Sequence, residues 1–283
     1  MTAIPDYTTH EFFGLEDKWL QTAEGELTHY HEVGKGTPII FLHGSGTGVT
    51  AAANWWLNLP DLAEVGRCIA IDSIGYGQTV VPEGIEYGIR AWVEHTIRVM
   101  DALKIQKTWL VGNSLGGWVA LQFAIDHPER LLGVVSMGTG GAKLTAALKG
   151  HSNPVLTEEG IRETLERFVV DKSLITDELV SLRYQSALND TASDRLAQVV
   201  AARDRDREAL PLDFDALAKL DIPVLLIHGM QDVVIPASRT WDLVNTIPNA
   251  DAHIFNQCGH WSQVEKSGEF NRVIAQYLRE RGV

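Results

Sequence analysis

A chain of 283 residues, 45% of them hydrophobic and 22% charged, holds ample material for a full core and excludes disorder, collagen-like repeats and a disulfide scaffold. Its formal net charge of -13 repels phosphate backbones and anionic lipid, which argues against nucleic acid and membrane as partners. Any anionic ligand must therefore be met by a local cation. The only cysteines, Cys68 and Cys258, lie in or beside apolar stretches and outside any CxxC, as expected of two buried thiols in a reducing compartment.

Residues 1–12 carry Asp6 and Glu11 and no basic segment ahead of an apolar one, so no signal peptide is expected. No apolar run approaches the ~20 residues of a membrane span, and a cytoplasmic location is expected. Residues 24–32 read as an early antiparallel strand joined by a hairpin. Apolar runs at 38–42, 67–71, 107–111, 131–135, 223–227 and 252–255 read as buried strands, as in a parallel sheet covered on both faces. Helical patterns lie at 55–62, 89–103, 115–126, 238–246 and 262–279. This alternation predicts an α/β fold with a mostly parallel eight-stranded sheet and helices on both faces.

The rhythm breaks once. From Gly141 to Asp215 there is no buried strand run, and three capped helical stretches begin near Thr157, Thr176 and Arg195. The expected organisation is a core of residues 1–140 and 216–283, with 141–215 inserted as a helical cap.

Gly112-Asn113-Ser114-Leu115-Gly116 follows a strand and opens a helix. That context matters because a serine on a tight strand-to-helix turn needs small neighbours, and it then sits at the positive end of a helix dipole. A serine needs a base, and the base an orienter. Asp232 and His260 both fall just past the ends of predicted strands, where sites of parallel sheets form. Alone, the first reads equally as a capping aspartate and the second as a loop histidine; together they complete the chain order serine, aspartate, histidine. His43-Gly44-Ser45-Gly46-Thr47-Gly48 follows the strand at 38–42, and its glycines let backbone N–H groups approach a developing oxyanion. The expected donors are the N–H groups of Ser45 and Leu115. The run lacks the Gly-Lys-Ser/Thr ending of a phosphate loop. His29 and His31 alternate on one strand with no third ligand evident, so a solvated strand face, and no metal, is expected.

These residues as a set resemble the α/β-hydrolases and, more narrowly, the meta-cleavage product hydrolases, which break carbon–carbon bonds in bacterial aromatic degradation. The resemblance runs from about Glu24 to the C-terminus. It rests on the glycine loop continuing to Asn54-Trp55, on Asn113-Ser114, on Leu182-Arg183-Tyr184 and on Gly259-His260-Trp261. Thr47 and the turn from Ser73 to Thr79 depart from the usual pattern without touching the triad. The resemblance implies a 2-hydroxy-6-oxo-hexa-2,4-dienoate substrate, cut by water between carbons 5 and 6. It implies no cofactor and a homo-oligomer. Arg183 would hold the carboxylate or 2-oxo end, with Gly44, Asn54, Asn113 and Trp261 on the same polar side. Ser114 would attack the 6-oxo carbon directly, or water would be activated in its place. Chemistry points the same way: breaking a C–C bond needs an electron sink, and ketonising the dienol supplies one. A carboxylesterase or lactonase with the same triad, and a non-catalytic receptor on the same scaffold, are the rival readings.

Overall fold

A computed structural model describes residues 13–142, 156–191 and 195–283. Residues 1–12, where no signal peptide is expected, and residues 143–155 and 192–194 of the expected cap lie outside the described residues.

One eight-stranded sheet organises the chain, in the order β1-β2-β4-β3-β5-β6-β7-β8. Strands β1 (Lys18–Ala23) and β2 (Glu26–Val33) form the antiparallel edge. The other six, β3 (Pro38–Leu42), β4 (Arg67–Ile71), β5 (Thr108–Asn113), β6 (Leu131–Met137), β7 (Val224–Gly229) and β8 (Ala250–Phe255), run parallel. All six therefore deliver their carboxyl ends to one rim. The runs are unbroken apolar text because both faces are covered: Ile39, Ile40, Phe41 and Leu42 of β3 are all essentially inaccessible. Each such side chain contributes about 1.5–3 kcal/mol relative to an exposed one.

Between the early strands lie α1 (Ala51–Trp55), α2 (Leu59–Leu62) and α3 (Ile89–Ala102); α4 (Leu115–Asp126) follows β5. The predicted helix at 55–62 is two short pieces. Thr50 accepts a hydrogen bond from the Ala53 N–H and starts the first early, and Pro60 in the first turn starts the second. Helix α4 is apolar all round, as a helix between sheet and neighbours must be. Between β6 and β7 come α5 (Glu158–Glu166), α6 (Asp177–Thr191), α7 (Arg195–Ala209) and the short α8 (Phe214–Leu217). The C-terminal pattern is α9 (Ser238–Thr246), then α10 (Ser262–Glu265) and α11 (Ser267–Arg279), split at Lys266. No described helix is long and apolar enough to cross a membrane. Cys68 and Cys258 are free and buried.

One expectation fails. His29 and His31 do not form a solvated face: both are 1% exposed, with the Trp19 ring 5.1 Å from that of His29 and with Asp17 and Glu16, ahead of β1, hydrogen-bonded to the two imidazoles. Asp17 supplies the third polar group that the local sequence does not show.

Candidate active site

Ser114 sits between β5 and α4 with φ 54 and ψ -108. A non-glycine residue there is strained by roughly 1–3 kcal/mol and persists only where its surroundings enforce it. The enforcement is visible. The Ser114 N–H donates to the Met137 carbonyl at 2.8 Å, and the Ser114 carbonyl accepts from Gly140 at 3.0 Å and Trp118 at 3.1 Å. The flanking glycines are obligatory. A Cβ on Gly112 would lie 2.2 Å from the Gly116 carbonyl oxygen, and one on Gly116 would lie 2.2 Å from that of Leu42.

The loop after β7 carries Asp232. Its Oδ1 accepts from the Val234 and Ile235 N–H groups at 2.7 and 2.9 Å, and its Oδ2 accepts from His260 Nδ1 at 2.7 Å. Nε2 of buried His228 lies 3.2 Å from the same Oδ2. Burial alone would raise this carboxyl's pKa; the charge of His260 and the hydrogen bonds from His228 and His260 outweigh it and hold the group well below the usual carboxylate range. His260 follows β8, is 4% exposed and stacks near Phe168. The stretch after β6 ties serine to histidine. Met137 and Gly140 bond the Ser114 backbone, while a Cβ on Gly138 would sit 2.9 Å from Cε1 of the His260 ring.

The glycine loop runs alongside. A Cβ on Gly44 would meet Asn113 Oδ1 at 2.8 Å and the Ser114 Cβ at 3.5 Å, and one on Gly46 would lie 3.6 Å from Arg183 Nη2. The loop thus passes between the serine turn and the guanidinium. The Gly44 N–H donates to Asn54 Oδ1 at 3.4 Å. His43 fixes the loop's root: its Nδ1 donates to the Gly44 carbonyl at 2.7 Å and its Nε2 accepts from the Ser73 N–H at 3.1 Å. Arg183, on α6, is 2% exposed, with its Cζ 5.6 Å from the Trp261 ring centroid. The amide nitrogens of Asn54 and Asn113 are buried with no hydrogen-bond partner among the described residues, a costly state that a ligand carboxylate or oxo group relieves. Leu115 is buried in the first turn of α4 and Ser45 is half-buried.

Sequence reasoning passed over four participants. Gly138, at φ 50 beside His260, and Phe168, whose carbonyl accepts the Trp261 N–H at 3.0 Å, carry no local signature. His228, four residues before Asp232, stood in the open as an i, i+4 pair. Arg203 on α7 donates to Ser45 Oγ at 3.3 Å across 158 residues, which no local pattern reports.

A serine on a strained strand-to-helix turn, an aspartate–histidine pair at neighbouring strand ends and a glycine loop opposite define the α/β-hydrolase class. A family model described as the alpha/beta hydrolase fold matches residues 37–267. The chain is 39% identical to 2-hydroxymuconate semialdehyde hydrolase of Pseudomonas sp. strain CF600, over 91% of this chain and 92% of that one. It is 37% identical to 2-hydroxy-6-oxo-2,4-heptadienoate hydrolase of Pseudomonas putida F1, over 90% and 94%. Among solved structures, a mutant meta-cleavage product hydrolase from Pseudomonas fluorescens IP01, complexed with acetates, superposes with a TM-score of 0.86 at 38% identity, covering 94% of this chain and 98% of that chain. The chain belongs to the α/β-hydrolase fold family and, within it, to the meta-cleavage product hydrolases.

Proposed function

We propose that the protein hydrolyses the C5–C6 bond of a 2-hydroxy-6-oxo-hexa-2,4-dienoate, a ring-fission product of aromatic degradation, with Ser114, His260 and Asp232 as its triad. The observation that carries the reading is one arrangement. Buried Asn113, Asn54 and Arg183 line the glycine loop, Asn113 on its Ser114 side at Gly44 and Arg183 at Gly46. An ester needs only the triad and an oxyanion site; a dienoate also needs a polar wall for its carboxylate and 2-oxo end. Arginine suits that wall because its planar fork binds a carboxylate through two hydrogen bonds. In a chain of net charge -13, the cation must be local.

In the proposed sequence the dienol proton moves to carbon 5 through His260, giving the ketone while Arg183 and Asn113 hold the charge that develops at the 2-oxo end. Ser114 Oγ then adds to carbon 6 as its proton passes to His260 Nε2. The oxyanion is met by the N–H groups of Ser45 and Leu115. The C5–C6 bond breaks, its electron pair passes through the conjugated fragment to the 2-oxo oxygen, which takes the proton back from His260, and 2-hydroxypenta-2,4-dienoate leaves. Water, deprotonated by His260, releases the carboxylic acid from Ser114. Asp232 remains ionised throughout and holds Nδ1–H so that Nε2 faces the serine.

The helices between β6 and β7 serve as a cap over this rim, with residues 141–215 as the inserted unit. Contacts of Arg183 and Phe168 with the glycine loop and with Gly259 and Trp261 support this assignment. A cytoplasmic location and a homo-oligomer complete the proposal, the latter checked by light scattering on the purified chain. Arg183→Ala tests the polar wall: turnover of the dienoate should collapse while p-nitrophenyl ester hydrolysis persists, and unchanged dienoate turnover would remove the basis for this reading.

A further inference from the structure

The histidines of β2 take no part in the proposed reaction, yet they are built into a site. His29 Nε2 lies 3.0 Å from Asp17 Oδ1, and His31 Nδ1 lies 3.8 Å from the same oxygen. The carbonyl oxygen of Glu16 is 2.9 Å from His31 Nδ1. One donor atom from each of Asp17, His29 and His31 falls within 4.8 Å of the others. A tetrahedral zinc with arms of about 2.0–2.1 Å sets its ligand atoms roughly 3.3 Å apart, and the separations of 2.9, 3.0 and 3.8 Å bracket that value. From these distances we infer that Asp17, His29 and His31 form a binding site for a divalent transition metal of the zinc type, with the Glu16 carbonyl as the fourth ligand.

Two further observations support the assignment. The other nitrogen of His29 is already committed, with Nδ1 donating to Asp72 Oδ2 at 2.7 Å. A carboxylate on the far side of an imidazole is the usual outer partner of a metal-bound histidine; it fixes the ring and raises its basicity. Both histidines are 1% exposed, and the carboxylate of Asp17 is 10% exposed, which leaves one polar side for entry. A metal that binds here takes the place of any proton on the ligating nitrogens, and those protons pass to solvent. Two imidazoles and a carboxylate select zinc or its neighbours over magnesium or calcium, which prefer all-oxygen sets.

The consequence is structural. Asp17 precedes β1, His29 and His31 lie on β2, and Asp72 also accepts the Ala51 N–H at 2.6 Å and the Gln78 N–H at 2.9 Å. A metal here would clasp the segment ahead of β1 to the sheet and stiffen the root of the turn after β4.

The test uses the full chain after EDTA treatment and gel filtration. It is titrated with ZnCl₂ against a chromophoric chelator, and in parallel with CoCl₂ in the visible range. One equivalent of zinc, intense four-coordinate cobalt bands and a metal-dependent rise in Tm are expected. Loss of an outer partner alone changes metal affinity by about 10–100-fold, so Asp17→Asn and His31→Gln should each weaken zinc by more than about 100-fold while leaving dienoate turnover unchanged. Absence of stoichiometric binding by the wild-type chain overturns the site, whatever the variants do. So does tight binding that survives both substitutions, which would place the metal on other histidines.

Discussion

Gly138→Ala perturbs the position of the histidine without substituting any group that reacts. An alanine at φ 50 costs about 1–2 kcal/mol in backbone strain. Its methyl would also lie 2.9 Å from Cε1 and 3.0 Å from Nδ1 of His260, where ordinary contact begins near 3.4 Å. The ring must retreat by about half an ångström, and the 2.7 Å bond to Asp232 resists that movement on one side. A misplacement of about 1 Å in a catalytic constellation costs roughly 100-fold, so kcat should fall by about 10–100-fold. KM should stay within about threefold, because the added methyl would meet His260 and Asp232 and no side chain of the polar wall. Stopped-flow bleaching of a yellow dienoate gives kcat and KM, and a urea melt confirms the fold. A folded variant with kcat within twofold of wild type would refute the placement of His260 beside Gly138 as a working geometry.

Asp232→Asn should lower kcat by about 10⁴-fold, since the amide cannot hold His260 in the required tautomer; a loss under tenfold in steady-state assays would reassign the orienter, with His228 the neighbour to test. Burial alone would lower the pKa of His29, but Asp72 and Asp17 raise it to about 9. Its folded pKa thus exceeds the unfolded value of about 6.5. In EDTA, the stabilisation it contributes is complete below about pH 6.5 and is lost as pH rises through 9, amounting to at most about 3–4 kcal/mol. Urea midpoints measured across that window should fall for wild type and stay level for His29→Asn; parallel slopes would contradict the assignment. Burial pushes the Cys68 thiol up to about 12 and raises that of Cys258, so neither should react with Ellman's reagent until the chain is unfolded, when both should titrate.

Much of the site was legible because parallel α/β sheets write their chemistry at strand ends. The apolar runs at 38–42 and 223–227 announced where Ser45 and Asp232 would fall, and the glycines around Ser114 stated how tight its turn must be. What stayed hidden depends on contacts between distant segments. Trp19 and the segment ahead of β1 pack against His29 and His31 and bury them, although alternating polar text on an early strand reads as solvated. Asp17 and Asp72 reach His29 across 12 and 43 residues. The break between α10 and α11 and the contact of Arg203 with Ser45 likewise follow from packing, not from periodicity.

Product analysis tests the central claim most directly. The purified chain is incubated with 2-hydroxy-6-oxo-hexa-2,4-dienoates bearing methyl, phenyl or larger groups at carbon 6, and with p-nitrophenyl acetate, and products are identified by mass spectrometry. The account predicts bleaching of at least one dienoate with equimolar 2-hydroxypenta-2,4-dienoate and carboxylic acid, abolished by Ser114→Ala. Rapid ester hydrolysis with every dienoate left intact would contradict it.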